Sequence, residues 1–207
     1  MPYGKDYTPF LQCCKCGKLC IYVGRRQNNA SVSLDTHLIE TQLRKYAILY
    51  FMLGLIEKEL RKRVVITLSS LAHRKGCATW FSILPQTKLL KKSIQKAVRR
   101  NGNRIEGVEE YLPFGFWQRI FIGSNYISLW IPALHLVYPA LADPLDKRNF
   151  DRVGNHLHRA SQIRNRVAHY DIREAADFEQ EKSVLMWLIR AMDKPFAPIG
   201  ELGILLH

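Results

Sequence analysis

Acidic residues are scarce in this chain. Asp and Glu total 18 against 31 Lys and Arg, a net charge of +13 over 207 residues. The deficit leaves the fold open but favours a polyanionic partner, nucleic acid or acidic lipid. A solvated basic surface is the other reading of the same charge. A clean apolar span is also missing. Ile120 to Ala142 has no Asp, Glu, Lys or Arg and is long enough to cross a bilayer. Gly123, Asn125, Pro132, His135 and Pro139 interrupt it, so shorter pieces packed in protein are expected, and no membrane partner. Met1 to Leu11 lacks a basic start followed by an apolar run. No secretory leader is therefore expected, and the cytoplasm is the expected compartment. Internal repeats, low-complexity tracts and convincing strand patterns are absent too.

A complete zinc motif is lacking as well. The cysteines number 5, and four of them crowd into Cys13-Cys14-Lys15-Cys16-Gly17-Lys18-Leu19-Cys20. Cys13 and Cys16 have the spacing that lets two thiolates hold one zinc ion. No second pair follows, although Cys20 and His37 can complete a structural site, with Cys77 more remote. Reduced thiols in a loose arm are the alternative.

What is present is helical periodicity, with 47% hydrophobic residues to form a core. Residues 1–33 read as a cysteine-rich arm, 34–193 as one helical domain, and 194–207 as a tail after the break at Pro195 and Pro198. From Thr36 to Ala72 there is no proline and one glycine, Gly54. Leu43, Ala47, Tyr50, Leu53, Ile56, Leu60, Val64, Leu68 and Leu71 recur there at helical spacing, predicting one long helix or two with a bend at Gly54. Residues 73–85 read as a loop. Thr87 to Arg100 reads as a basic amphipathic helix, with Leu90, Ile94, Ala97 and Val98 on one face and Lys88, Lys91, Lys92, Lys96, Arg99 and Arg100 around the rest. Those six cations are candidate RNA phosphate contacts, against the alternative of a solvated face. Asn101-Gly102-Asn103 ends the helix. Further helices are expected at about 114–122, 125–140, 146–170 and 174–192. Five or more helices with short connections predict an all-α bundle.

The helix from Lys147 to Tyr170 carries the strongest functional signal. Wound at about 100° per residue, Phe150, Val153, Leu157, Ala160 and Val167 form its core stripe, and Arg164 falls inside that arc. His158, Asn165 and His169 lie along the stripe's edge. Histidine gives and takes protons near pH 7, and arginine binds phosphate through paired hydrogen bonds and stabilises transition-state charge. Such a set lets an RNA 2′-hydroxyl attack the adjacent phosphate without a metal cofactor. A buried ion pair of Arg164 with Glu57 or Glu59 is the structural alternative.

Arg164-Asn165-Arg166-Val167-Ala168-His169 matches the R-N-x3-H motif of HEPN domains. The surrounding segment resembles the Abi family of abortive-infection proteins. In that family an R-N-R-[IV]-A-H run follows a segment like Leu112-Pro113-Phe114-Gly115-Phe116-Trp117, then Tyr126 and Leu129-Trp130. Leu43-Arg44 and Ile56-Glu57-Lys58-Glu59-Leu60-Arg61 resemble its early helix, so the likeness covers residues 34–192. The resemblance implies a HEPN-like helical bundle that pairs as a homodimer with a composite cleft. It implies a metal-independent endoribonuclease, leaving a 2′,3′-cyclic phosphate, in phage defence or as a toxin. His169 would transfer protons, Arg164 stabilise the phosphate, Asn165 orient, and Arg166 contact RNA. An antitoxin or regulatory RNA would be a further partner. Three features depart from the pattern. Tyr170 stands where a second histidine is frequent, Asp171 where some toxins carry a modifiable tyrosine, and the N-terminal arm is shorter than in many members. A non-catalytic RNA-binding or assembly module of the same fold is the alternative.

Overall fold

In a computed structural model, residues 36–169 and 178–193 are described, with side chains from residue 40 onward. The arm with Cys13, Cys16 and Cys20, the tail from 194, Tyr170 and Asp171 lie outside them. The described residues form an all-α bundle and contain no strand. Its helices are α1 (Thr36–Arg74), α2 (Lys88–Arg100), α3 (Phe114–Ile120), α4 (Leu134–Val137), α5 (Lys147–Ala168) and α6 (Phe178–Ala191).

Helix α1 runs unbroken through Gly54 for 39 residues, about 58 Å. It packs against α3, α4, α5, α6 and the turn Trp80–Ile83. Flanked on several sides, it buries more than one stripe. Ile56, Leu60, Val64 and Leu68 are fully buried, as their spacing predicts. Towards the N-terminus the same spacing does not mark burial: Leu43 and Tyr50 are 37% and 67% exposed, and Ala47 is exposed. Tyr46, Leu49 and Met52 are buried instead. The apolar residues on both flanks are too dense there for periodicity to choose the phase.

The helix ends are local and chemically explicit. Gly76, at φ +68°, closes α1: its N–H bonds His73 O at 3.0 Å, and Cys77 N–H bonds Ala72 O at 2.9 Å. This 6→1 and 5→2 pair needs a left-handed residue, which glycine supplies without a Cβ penalty. Thr87 caps α2 by accepting from Leu90 N–H at 3.3 Å. The buried Asn101 side chain then ties the exit of α2 to the carbonyls of Arg104 and Glu106. Asp146 caps α5 by accepting from Arg148 N–H at 2.8 Å.

The second helix expected over 125–140 is corrected. The chain forms a π-helical turn at Tyr126–Trp130 and then the single-turn α4. Pro132 has no N–H to continue an α-helix and its ring crowds the preceding turn. Ile131 N–H accordingly reaches back five residues to Tyr126 O at 2.9 Å. Two side chains lock this segment onto α3: Asn125 Nδ2 and Trp130 Nε1 both donate to Ile120 O, at 3.1 and 2.7 Å. No helix among the described residues is long and apolar enough to cross a membrane.

Candidate functional site

Helix α5 is positioned by two close contacts. Phe150, Val153, Leu157, Ala160, Ile163 and Val167 are buried along its inner face. At Gly154 an added Cβ would stand 2.8 Å from Phe121 O, so the residue after α3 reaches the α5 backbone only because position 154 lacks a side chain. Four residues on, His158 is framed by amides: Gln118 meets its Nδ1 at 3.2 Å and Gln162 its Nε2 at 3.3 Å. Both ring nitrogens are thereby engaged.

Arg164 is not at a core position, contrary to the winding prediction. It is exposed, and Ile163 is buried in its place. An α-helix drifts about 20° per heptad against a seven-residue repeat. By its last turns the inner face of α5 has rotated from the 150-157-164 line towards Ile163. The proposed ion pair of Arg164 with α1 is also absent among the described residues. Glu57 holds Arg61 at 3.1 Å, and Glu59 holds Arg63 at 2.6 Å.

Asn165 and His169 are exposed as well. His169 is the C-cap of α5, its N–H reaching Asn165 O at 3.1 Å and Arg166 O at 3.2 Å. That bond preserves the one-turn spacing between the amide and the imidazole. Arg164, Asn165 and His169 thus share the solvent-facing end of one helix, and among the described residues none makes a side-chain bond or ion pair. Arg166 is placed differently. Its guanidinium turns to Glu181 of α6, and both side chains are mostly buried, at 23% and 12% exposure. Nothing in the sequence pairs those two residues; only the packing of α5 on α6 does.

Beside the motif lies a groove of about 480 Å³, lined by Leu43, Tyr46, Ala47 and Tyr50 of α1 and by Val167 and Ala168 of α5. Leu43, Ala47 and Tyr50, part of the spacing that predicts α1, therefore line a surface groove at the motif end of α5. Their apolar character gave no sign of it. The Leu112–Trp117 segment, by contrast, is core: Leu112, Phe114, Phe116 and Trp117 are buried, and Trp117 stacks on Trp80 at 6.0 Å.

Lys88, Lys91, Lys92, Lys96, Arg99 and Arg100 are all exposed on α2. The first five, with Gln86 and Gln95, border a groove of about 820 Å³. The apolar face of α2 turns inward, with Leu90 and Ala97 buried. Among the described residues no cluster of three His, Cys, Asp or Glu is arranged to hold a metal. No family model, no curated protein and no solved structure matches this chain.

Proposed function

We propose that this protein is a metal-independent endoribonuclease of the HEPN and Abi type, acting in phage defence or as a toxin. The observation that carries the reading is the exposed Arg164, Asn165 and His169 at one end of α5, in R-N-x3-H spacing. In the proposed reaction His169 takes the proton of an RNA 2′-hydroxyl. The 2′-oxygen attacks the adjacent phosphorus, and the bond from phosphorus to the 5′-oxygen breaks. The departing 5′-oxygen is protonated, leaving a 2′,3′-cyclic phosphate and a 5′-hydroxyl. Arg164 stabilises the charge that gathers on the phosphoryl oxygens, and Asn165 orients the attacked group. No step needs a metal ion, because the nucleophile is already within the substrate.

A homodimer with a composite cleft is part of the proposal. The apolar groove next to His169, with Leu43 and Tyr50 exposed in its wall, supports a second copy as its cover. The test is cleavage of a mixed RNA pool in EDTA. The wild type is expected to cut and to leave cyclic phosphate ends. His169→Ala should lose on the order of 100-fold or more, the usual contribution of a proton-transfer group. Equal cutting by both proteins, or no cutting of any RNA offered, refutes the reading.

A further inference from the structure

We infer that α2 is an anchoring surface for the RNA backbone, offset about 20 Å along α1 from the motif, which makes the protein selective for RNA long enough to reach both. The inference rests on the ribonuclease reading for its substrate, and on charge and geometry for its location.

The net charge is not spread over the molecule. Residues 60–105 carry twelve of the 31 Lys and Arg and none of the 18 Asp and Glu. That stretch accounts for twelve of the thirteen net positive charges, and half of its cations lie on α2. Off α2 several cations find acids: Arg44 meets Glu40, Arg61 meets Glu57 and Glu110, and Lys147 meets Asp151. Among the described residues no carboxylate pairs with any cation of α2. Lys88, Lys92, Lys96 and Arg99 fall three or four residues apart, one cation per helical turn along about 17 Å. Such a row fits a linear polyanion that repeats its charge along a strand. A lipid surface fits less well, because interfacial helices need an exposed apolar face, and α2 turns Leu90 and Ala97 into the protein and leaves only Leu89 exposed among its large apolar side chains.

Helix α1 gives the offset along its axis. The motif end of α5 meets α1 at Leu43, Tyr46, Ala47 and Tyr50. The exit of α2 is tied through the turn Val108–Tyr111 to Arg61, which pairs with Glu110. Ala47 and Arg61 are fourteen residues apart on one helix, about 21 Å. A stacked strand at about 3.4 Å per nucleotide needs roughly six steps to cover that offset.

The test titrates the intact chain, carrying His169→Ala so that RNA survives, with a labelled 20-nucleotide RNA at increasing salt. Two fourfold variants of equal net charge are compared. One is Lys88→Gln/Lys92→Gln/Lys96→Gln/Arg99→Gln, and the other is Lys58→Gln/Lys147→Gln/Arg148→Gln/Arg190→Gln. All eight side chains are exposed, and circular dichroism checks that both variants fold. The first is expected to flatten the slope of log K against log salt by about 3, near 0.7 per lost single-strand contact, and the second by less than about 1. Equal slopes in the two variants overturn the inference. So does row-dependent binding to phosphatidylserine vesicles with RNA binding unchanged. In the active background, the first variant should raise KM for the 20-nucleotide RNA at unchanged kcat, and should leave cleavage of a four-nucleotide RNA unaltered. An equal KM effect on the short RNA overturns the offset. If the wild type cuts nothing, the ribonuclease reading fails, and the salt titration still decides this one.

Discussion

Along α5 the cations have neighbours that hold them. Lys147 meets Asp151, Arg148 meets the capping Asp146, Arg152 lies over the Trp187 ring at 4.8 Å, and Arg166 meets Glu181. Arg159 and the motif cation Arg164 are the exceptions, standing in solvent without a partner among the described residues. Along α2 every cation is in that condition. Helix α5 uses Arg152 and Arg166 to hold α6, whereas α2 keeps like charges side by side with no carboxylate partner among the described residues. Charge that repels itself within a fold contributes nothing to holding that fold together. This difference separates structural cations from cations available to a ligand.

The comparison is broken most severely at Arg166. Arg166→Ala would leave the Glu181 carboxylate mostly buried and unpaired, an effect of about 3 kcal/mol. Urea denaturation should show that loss, largely restored by adding Glu181→Gln. Arg164→Ala, two residues away, should change stability by less than about 0.5 kcal/mol while abolishing cleavage. A strongly destabilised Arg164→Ala would return that residue to the structural class.

Next comes Gly154→Ala. The new methyl would collide with Phe121 O, so α3 and α5 must separate, at about 2 kcal/mol. The midpoint of thermal unfolding should fall by several degrees. Gly54→Ala, with nothing within 4 Å, is the matched control and should stabilise α1 by about 1 kcal/mol or less.

On α2 the sign reverses. Lys92→Gln removes two like-charge contacts, with Lys88 and Lys96, each four residues away. Stability should rise by about 0.5 kcal/mol, and by less at high salt, in the same denaturation assay. A loss of stability would mean that the lysine has a structural partner after all.

The smallest expected effect is a pH dependence. Burial against Trp187 holds the His156 imidazole below its ordinary 6.5; donation to the Arg152 carbonyl opposes this, and the charges of Arg152 and Arg159 add to it. The unfolded chain therefore takes up a proton before the folded one does. The contribution of His156 is complete above that pH and is lost as pH falls through and below it. Melting temperatures between pH 7 and 5.5 should decline less steeply in His156→Phe, which keeps the ring on Trp187.

Much of the fold was legible because its signals are local. Thr87, Asp146 and the Asn101-Gly102-Asn103 stop mark helix ends by bonds that span a few residues. The motif's spacing was legible for the same reason, since Asn165 and His169 are joined by one turn of helix. What was not legible depends on partners far along the chain. The pairing of Arg166 with Glu181 requires α6 to lie on α5. The exposure of Leu43, Ala47 and Tyr50 depends on which flank of α1 the other helices leave uncovered. Ile163 and Arg164 stand about 100° apart around α5, on either side of the drifting inner face, and choosing between them needs the accumulated rotation of the helix rather than its ideal phase.

The unbroken course of α1 also bears on how the protein comes apart. Four helices and the Trp80 turn rest on it, so neither the motif end nor the lysine end can open without baring a flank of the same helix. Amides at the middle of α1, around Ile56 and Leu60, have no small local opening available to them. Their exchange with solvent water should follow global unfolding, and both functional surfaces would then persist or vanish together.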